Sequence, residues 1–171
     1  IAAVEIAKKL GFKIIADTGL NVHNSESAKT VTDLGAKAVV VSPEMTLADI
    51  SALSSPVPKG IITYGNIPLM LFKNCPIKNG IDCKDCDKKN TLTDRKGIEF
   101  PVRCRMGYSE MLNSVPLWLA DRKNEITGVD FEILYFTNES PEQVEAVLSA
   151  YKSGLPPITK HTRGLYYRGT I

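Results

Sequence analysis

No apolar run in this 171-residue sequence approaches the roughly 20 residues needed to cross a bilayer. The N-terminus, IAAVEIAKKLGFKIIAD, has neither a starting Met nor the layout of a signal peptide. Its apolar residues sit among charges, and no small-residue cleavage site follows. These absences lead to the expectation of a cytoplasmic chain that is the C-terminal portion of a longer one. The net charge of +2 is too small to imply a nucleic-acid, membrane or acidic partner by itself. Histidine is scarce: His23 and His161 stand far apart, without the HExxH context of a zinc protease. No GxSxG elbow supplies a serine nucleophile. No repeat beyond a βα unit and no low-complexity tract is present.

What is there begins with that unit. A helix ends in Lys8-Lys9-Leu10-Gly11, and a strand over 12–16 follows. The next helix begins near Ser25, stops at Gly35 and leads to a strand over 38–41. A third, short helix starts at Thr46 with Asp49 at the capping-box position and runs to about Leu53, before a strand over 60–63. KIIA, AVVV and GIIT are continuous apolar runs, as parallel strands covered on both faces require. The fold class is therefore α/β, and part of a (β/α)8 barrel or of a doubly wound sheet both fit. Residues 1–72 form this βα-repeat region.

Residues 73–125 are expected to hold a polar, cysteine-rich loop and a short helix over part of 108–123. Residues 126–171 carry a strand (128–136), a helix and a basic tail. Ser140-Pro141-Glu142-Gln143 opens that helix, Val144, Val147, Leu148 and Tyr151 form its buried stripe, and Gly154 lies just past its end. Met70 and Phe72 are expected in the core, and Asn113 as a helix stop.

The four cysteines follow the spacing C-x7-C-x2-C-x17-C. Cys83 and Cys86 form a CxxC knuckle, whose two intervening residues let both sulfurs face one centre. Cys75 and Cys104 can complete a four-cysteine shell for tetrahedral zinc or a [4Fe–4S] cluster. Disulfides, independent buried thiols and a redox CxxC explain the clustering less well. The spacing matches neither ferredoxin runs nor a paired-CxxC ribbon, so zinc and iron–sulfur both stand.

In a parallel α/β fold, ligands meet side chains just after the strands. Those positions hold Asn21, His23 and Asn24, then Ser42, Pro43 and Glu44, then Tyr64, Gly65 and Asn66. His23, Glu44 and Tyr64 are candidate catalytic groups, an imidazole, a carboxylate and a phenol able to move protons or hold a polar substrate. Asn21 and Asn24 are candidate substrate contacts, although Asn24-Ser25 also reads as a helix cap and Glu44 as a charge favouring the next helix. Asp94-Arg95 reads as an ion pair ordering the metal loop, with substrate contact by Arg95 as the alternative.

Taken in order, LNVHNSESA, LGAKAVVVSPEMTL, ITYGNIPLMLFKNCPI, the CxxC, LTDRKGIEFPVRC and MLNSVPL resemble the peptidase U32 family, the collagenase-like proteases. A Gly-rich signature of that family with its own cysteines is absent here. The resemblance implies a barrel-like region and peptidase activity on polypeptide. It also implies, from other members, iron–sulfur-dependent modification of RNA or hydroxylation of a small aromatic ring. It makes Cys75, Cys83, Cys86 and Cys104 the metal ligands. A zinc-stabilised structural or binding module is the third possibility, because an all-cysteine zinc site is closed to water. The tail KHTRGLYYRG interleaves Lys160, Arg163 and Arg168 with Tyr166 and Tyr167, as stacking on RNA bases would use. Such tails also dock on their own domain. Arg163 is the substrate-binding candidate in it. Open half-barrels expose apolar sheet edges, so self-association into a homo-oligomer is expected.

Overall fold

The computed structural model describes residues 2–80, 82–86, 90–105 and 107–168 and shows a mixed α/β protein built on two sheets. Helix and strand alternate first: α1 (Ala2–Lys9), β1 (Ile14–Ala16), α2 (Ser25–Asp33), β2 (Ala36–Val40), α3 (Leu47–Ala52) and β3 (Lys59–Gly65). The helix starts follow local chemistry. The Asn24 side chain accepts from the Ser27 N–H at 2.8 Å and the Ser27 hydroxyl accepts from the Asn24 N–H at 3.1 Å, closing a capping box. Thr46 accepts from the Asp49 N–H at 3.1 Å and so starts α3.

β1, β2 and β3 pair in parallel, and β9 (Phe131–Tyr135) pairs in parallel with β3 from Gly60 to Gly65. The two-residue β8 (Leu117–Trp118) lies antiparallel on the end of β3. All seven residues of β3 are buried, which is why its sequence runs apolar without alternation. Lys59 is the exception. Its ammonium donates to the Ile50 carbonyl at 2.5 Å and to that of Leu53, closing the open end of α3. Burial pushes the Lys59 pKa down, and the charge of Asp130 partly offsets this.

Between β3 and β9 the chain builds a second sheet from β4 (Pro68–Phe72), β5 (Asn90–Thr93), β6 (Glu99–Arg105) and β7 (Tyr108–Leu112), antiparallel in the order β4-β7-β6-β5. Part of the expected loop is therefore ladder, and the expected helix over part of 108–123 is replaced by β7, β8 and a 3-10 turn at Ala120–Glu125. β5, β6 and β7 are short and mix polar with apolar residues, as antiparallel strands with one wet face do, so they sit inside a polar segment without an apolar run. Met70 is 51% exposed because β4 is an outer strand of this sheet, and Phe72 is half-buried. Within that segment, residues 81, 87–89 and 106 fall outside the described residues.

Helix α4 (Pro141–Ser153) opens on Ser140 with Gln143 completing the box and stops at Gly154, as its sequence predicts. Val147 and Tyr151 are buried, Val144 is half-buried, and Ala150 takes the place expected of Leu148, which is 41% exposed. The tail docks. Thr162 bridges to Leu117 in the backbone, and the buried Tyr166 donates its hydroxyl to the Ile62 carbonyl of β3 at 2.7 Å. Among the described residues no helix is long and apolar enough to cross a membrane.

Candidate functional site

The parallel strands β1, β2, β3 and β9 end on one side of the sheet, and a cavity of about 560 Å³ opens there. Its wall is apolar: Ile62, Ile67, Leu117, Tyr135 and Tyr166 line it. Its rim is polar, with Ser42, Glu44, Asn113 and Arg168. A second concavity of about 570 Å³ shares Glu44 and Arg168 and adds His23, Asn24 and Asp49.

Backbone pairing brings the rim together. After β1 and β2 the loops continue as a parallel bridge between Val22 and Val41, with the Ser42 N–H donating to the Val22 carbonyl at 2.9 Å. This places His23 beside Glu44, with Nε2 to Oε2 at 3.8 Å. The His23 N–H is held by the Ser27 hydroxyl at 3.1 Å, so the imidazole stands at the start of α2. Across the cavity, the Asn66 amide donates to the Asn113 carbonyl at 2.7 Å, and the Asn113 N–H donates to the Ile67 carbonyl at 2.9 Å. Asn113, just after β7, thus pairs with the link between β3 and β4 and lines the cavity; it is not a helix stop.

The other candidates are placed elsewhere. Tyr64 is buried among Trp118, Phe136 and Tyr151, and its hydroxyl donates to Glu139 at 3.1 Å. Burial first, and then the Glu139 charge, push its pKa well above the usual phenol value. It does not join His23 and Glu44. Asn21 takes a left-handed backbone at φ 53° and ends the turn Thr18–Leu20. Asn24 lines the second concavity, but its side-chain oxygen is committed to the helix cap.

Arg95 is exposed in the β5–β6 turn, the end of that hairpin remote from Cys104. There the Asp94 carboxylate accepts from the backbone N–H groups of Lys96 at 2.8 Å and Ile98 at 2.9 Å. Asp94 therefore orders a hairpin through its backbone and not a metal loop through Arg95. Arg163 is committed too, holding both oxygens of Asp121 at 2.6 and 2.8 Å and the Trp118 carbonyl. Tyr167 donates to Glu125 at 2.7 Å, so the basic–aromatic tail spends most of its recognition groups on its own domain.

The Arg163–Asp121 clamp carries a pH dependence. Hydrogen bonds from Arg163, outweighing burial, hold the Asp121 carboxyl below its usual range. A carboxyl lowered on folding contributes stability above its unfolded pKa of about 3.9, lost as pH falls through the folded value. Tail docking is therefore expected to persist to about pH 4 and fail below it. In Asp121→Asn the tail is expected to be loose already at neutral pH. Hydrogen exchange at the Thr162 and Trp118 amides reads this, and equal protection in Asp121→Asn at pH 7 would refute it.

The cysteines gather at the end of the small sheet remote from the β5–β6 turn. Cys104 on β6 lies directly opposite Ser109 on β7, and the Ser109 hydroxyl bonds the Cys75 sulfur. Asn90, opposite Val102 two residues before Cys104, donates to the Cys86 sulfur at 2.8 Å. Alternation places Asn90, Val102, Cys104 and Ser109 on one face. Cys83 is exposed in the turn just before Cys86, closed by the Asp85 N–H to Asp82 carbonyl bond at 3.0 Å. Burial pushes the Cys75 thiol up, but hydrogen bonds from the Ile77 and Lys78 backbone and Ser109, with the Lys78 charge, bring it net below its usual value. As the side chains stand, no three His, Cys, Asp or Glu among the described residues are close enough to hold one ion.

Sequence reasoning missed Arg168, Asn113 and Tyr135 as parts of the cavity. Tyr135 had a legible signal, since it lies near the end of the predicted strand 128–136, where ligands meet a parallel sheet. Arg168 had none.

The fold is thus mixed α/β, with an apolar cavity rimmed by charges at the ends of its parallel strands. The family model of peptidase family U32 matches residues 1–92, more than half of the 171 residues, and the chain belongs to that family. No curated protein and no solved structure matches it. The matched segment runs from α1 into β5 and contains Cys75, Cys83 and Cys86, while Cys104, the DRKG segment and the tail lie beyond it.

Proposed function

We propose that this chain carries the substrate-binding face of a U32 peptidase, hydrolysing polypeptide at the strand-end cavity. The single observation behind this reading is the His23–Glu44 pair, 3.8 Å apart, in which Glu44 lines both concavities and His23 the second. His23 takes the proton from the attacking water. Glu44 stabilises the imidazolium that results, and the same imidazolium then gives its proton to the leaving amine. The apolar wall holds a side chain of the substrate and excludes water from it. The four parallel strands are read as an arc of a (β/α)8 barrel, whose ligands meet the C-terminal strand ends.

Cys75, Cys83, Cys86 and Cys104 hold a metal centre in this proposal. The common sheet face supports it, as does a donor set made only of sulfur. Such a closed four-sulfur set suits zinc as a structural ion or a [4Fe–4S] cluster as an electron-transfer group. In either case it takes no part in the proton transfers above.

A second reading, iron–sulfur-dependent modification of RNA or of a small aromatic ring, is favoured by the size and apolar wall of the cavity, which suit a ring better than an extended chain. Peptide turnover by the full chain, followed in His23→Ala and Glu44→Gln, separates the two. Loss of roughly 10²–10⁴-fold in kcat/KM in His23→Ala is expected from a general base. Undiminished turnover in both variants, or none in the parent chain, would overturn the hydrolytic reading. Metal analysis with visible absorption under anaerobic conditions tests the centre: a brown protein marks a cluster, and colourless protein with stoichiometric zinc marks the structural ion.

A further inference from the structure

The rim of the strand-end cavity carries two opposite charges that do not neutralise each other. Glu44 pairs with His23, and among the described residues no acidic side chain pairs with Arg168. Both nevertheless line the same two concavities. The Arg168 amide is fixed by the Leu165 carbonyl at 3.1 Å, and Tyr166 is anchored to Ile62, so the arginine is presented from docked backbone. Between and below the charges lies the apolar wall, with the Ser42 hydroxyl and the Asn113 amide as neutral polar groups.

We propose that this cavity binds a free α-amino acid with an apolar side chain, the ammonium against Glu44, the carboxylate against Arg168 and the side chain on Ile62, Ile67 and Leu117. The inference rests on the cavity being the substrate site and deepens that reading by naming the ligand class. At neutral pH an amino acid carries both charges on one carbon, the arrangement that two opposite rim charges complement, Glu44 shared with His23 and Arg168 without an acidic partner among the described residues. An arginine fork recognises carboxylate by two parallel hydrogen bonds, and the volume of about 560 Å³ accommodates a leucine or phenylalanine side chain. Hydrolysis of an amide adds water across C–N and leaves a carboxylate on one fragment and an ammonium on the other. Release of a terminal residue therefore yields the zwitterion that the rim is charged to hold.

Capped analogues make the test. Removing one ligand charge removes the charge-assisted hydrogen bond to its rim partner, which the true ligand keeps. Isothermal titration of the full chain compares L-leucine with N-acetyl-leucine and leucinamide. Saturable leucine binding is expected, with each capped analogue weaker by roughly tenfold or more. Arg168→Ala is expected to lose its discrimination against leucinamide, and Glu44→Gln its discrimination against N-acetyl-leucine. Both side chains are on the surface, and circular dichroism checks that both variants fold. Equal binding of leucine and the capped forms overturns the proposal, as does the absence of saturation at about 10 mM, beyond which affinity falls below any useful specificity. Selective leucine binding without peptide turnover supports the ligand class and sinks the hydrolytic reading. Peptide turnover with no preference for leucine over its capped forms does the reverse.

Discussion

Replacing Glu110 with alanine is expected to cost about 3–5 kcal/mol, enough to unfold a large share of a marginal domain. The Glu110 carboxylate lies between two arginines, 2.6 Å from Arg103 and 3.4 Å from Arg105, and its side chain is only 12% exposed. Arg103 is 14% exposed and also donates to the Tyr135 hydroxyl at 3.2 Å, which ties the small sheet to the parallel one. Removing the carboxylate strands a guanidinium that water reaches poorly, so the cost exceeds that of an ordinary surface pair. Replacing both partners together, as Arg103→Met with Glu110→Leu, is expected to recover most of the loss, since no charge is then left buried. Urea denaturation of the parent and the two variants checks this. A Glu110→Ala midpoint indistinguishable from the parent would show the pair to be ornamental, and a double variant as unstable as the single one would place the loss in packing.

Gly65→Ala is expected to destabilise by several kcal/mol, through two effects that add. Gly65 has φ 125°, a region closed to side chains, and a Cβ built there lies 2.1 Å from the Tyr135 carbonyl oxygen. The obstacle is backbone of the neighbouring strand, which cannot swing aside as a side chain could, so the β3–β9 ladder must open at its last rung. Because that rung borders the cavity, substrate binding is expected to fall together with the melting temperature. Gly60→Ala provides a contrast: its Cβ meets the Phe131 ring first, at 2.2 Å, and a smaller residue at 131 relieves that clash. Thermal melts of Gly65→Ala and of Gly60→Ala with Phe131→Ala decide the matter. Equal rescue of both by truncating the partner side chain would refute the backbone argument.

The βα half was legible in the sequence because its signals are local. Continuous apolar strands, an Asn24–Ser27 box, a Thr46–Asp49 cap and the Ser-Pro-x-Gln opening of α4 each depend on residues within a turn of one another. The rule that parallel sheets bind at their strand ends singled out His23 and Glu44, and the structure sets Glu44 against both concavities and His23 against the second. Tyr64 was misplaced by the same rule. β3 runs two residues further than its apolar core suggests, so the phenol still belongs to the strand and turns into the aromatic cluster under α4. The small sheet was hidden because its strands are brief and one face is wet, so neither a run nor a moment stands out. Arg163 and Arg168 look alike in the tail. Asp121, over forty residues upstream, separates them by claiming one.

The docking of Tyr166 also sets an order of events. Its hydroxyl closes on Ile62 across 104 residues of chain, and Asp130 reaches back 71 residues to the Lys59 amide. Contacts of that separation form only after a large loop-closure entropy has been met, so they form late. During synthesis, α1 to β3 can assemble as their residues emerge, but β3 remains without its β9 neighbour until the whole antiparallel insert has been made. The cavity is then completed last of all, by a tail whose arrival converts an open strand end into a walled site.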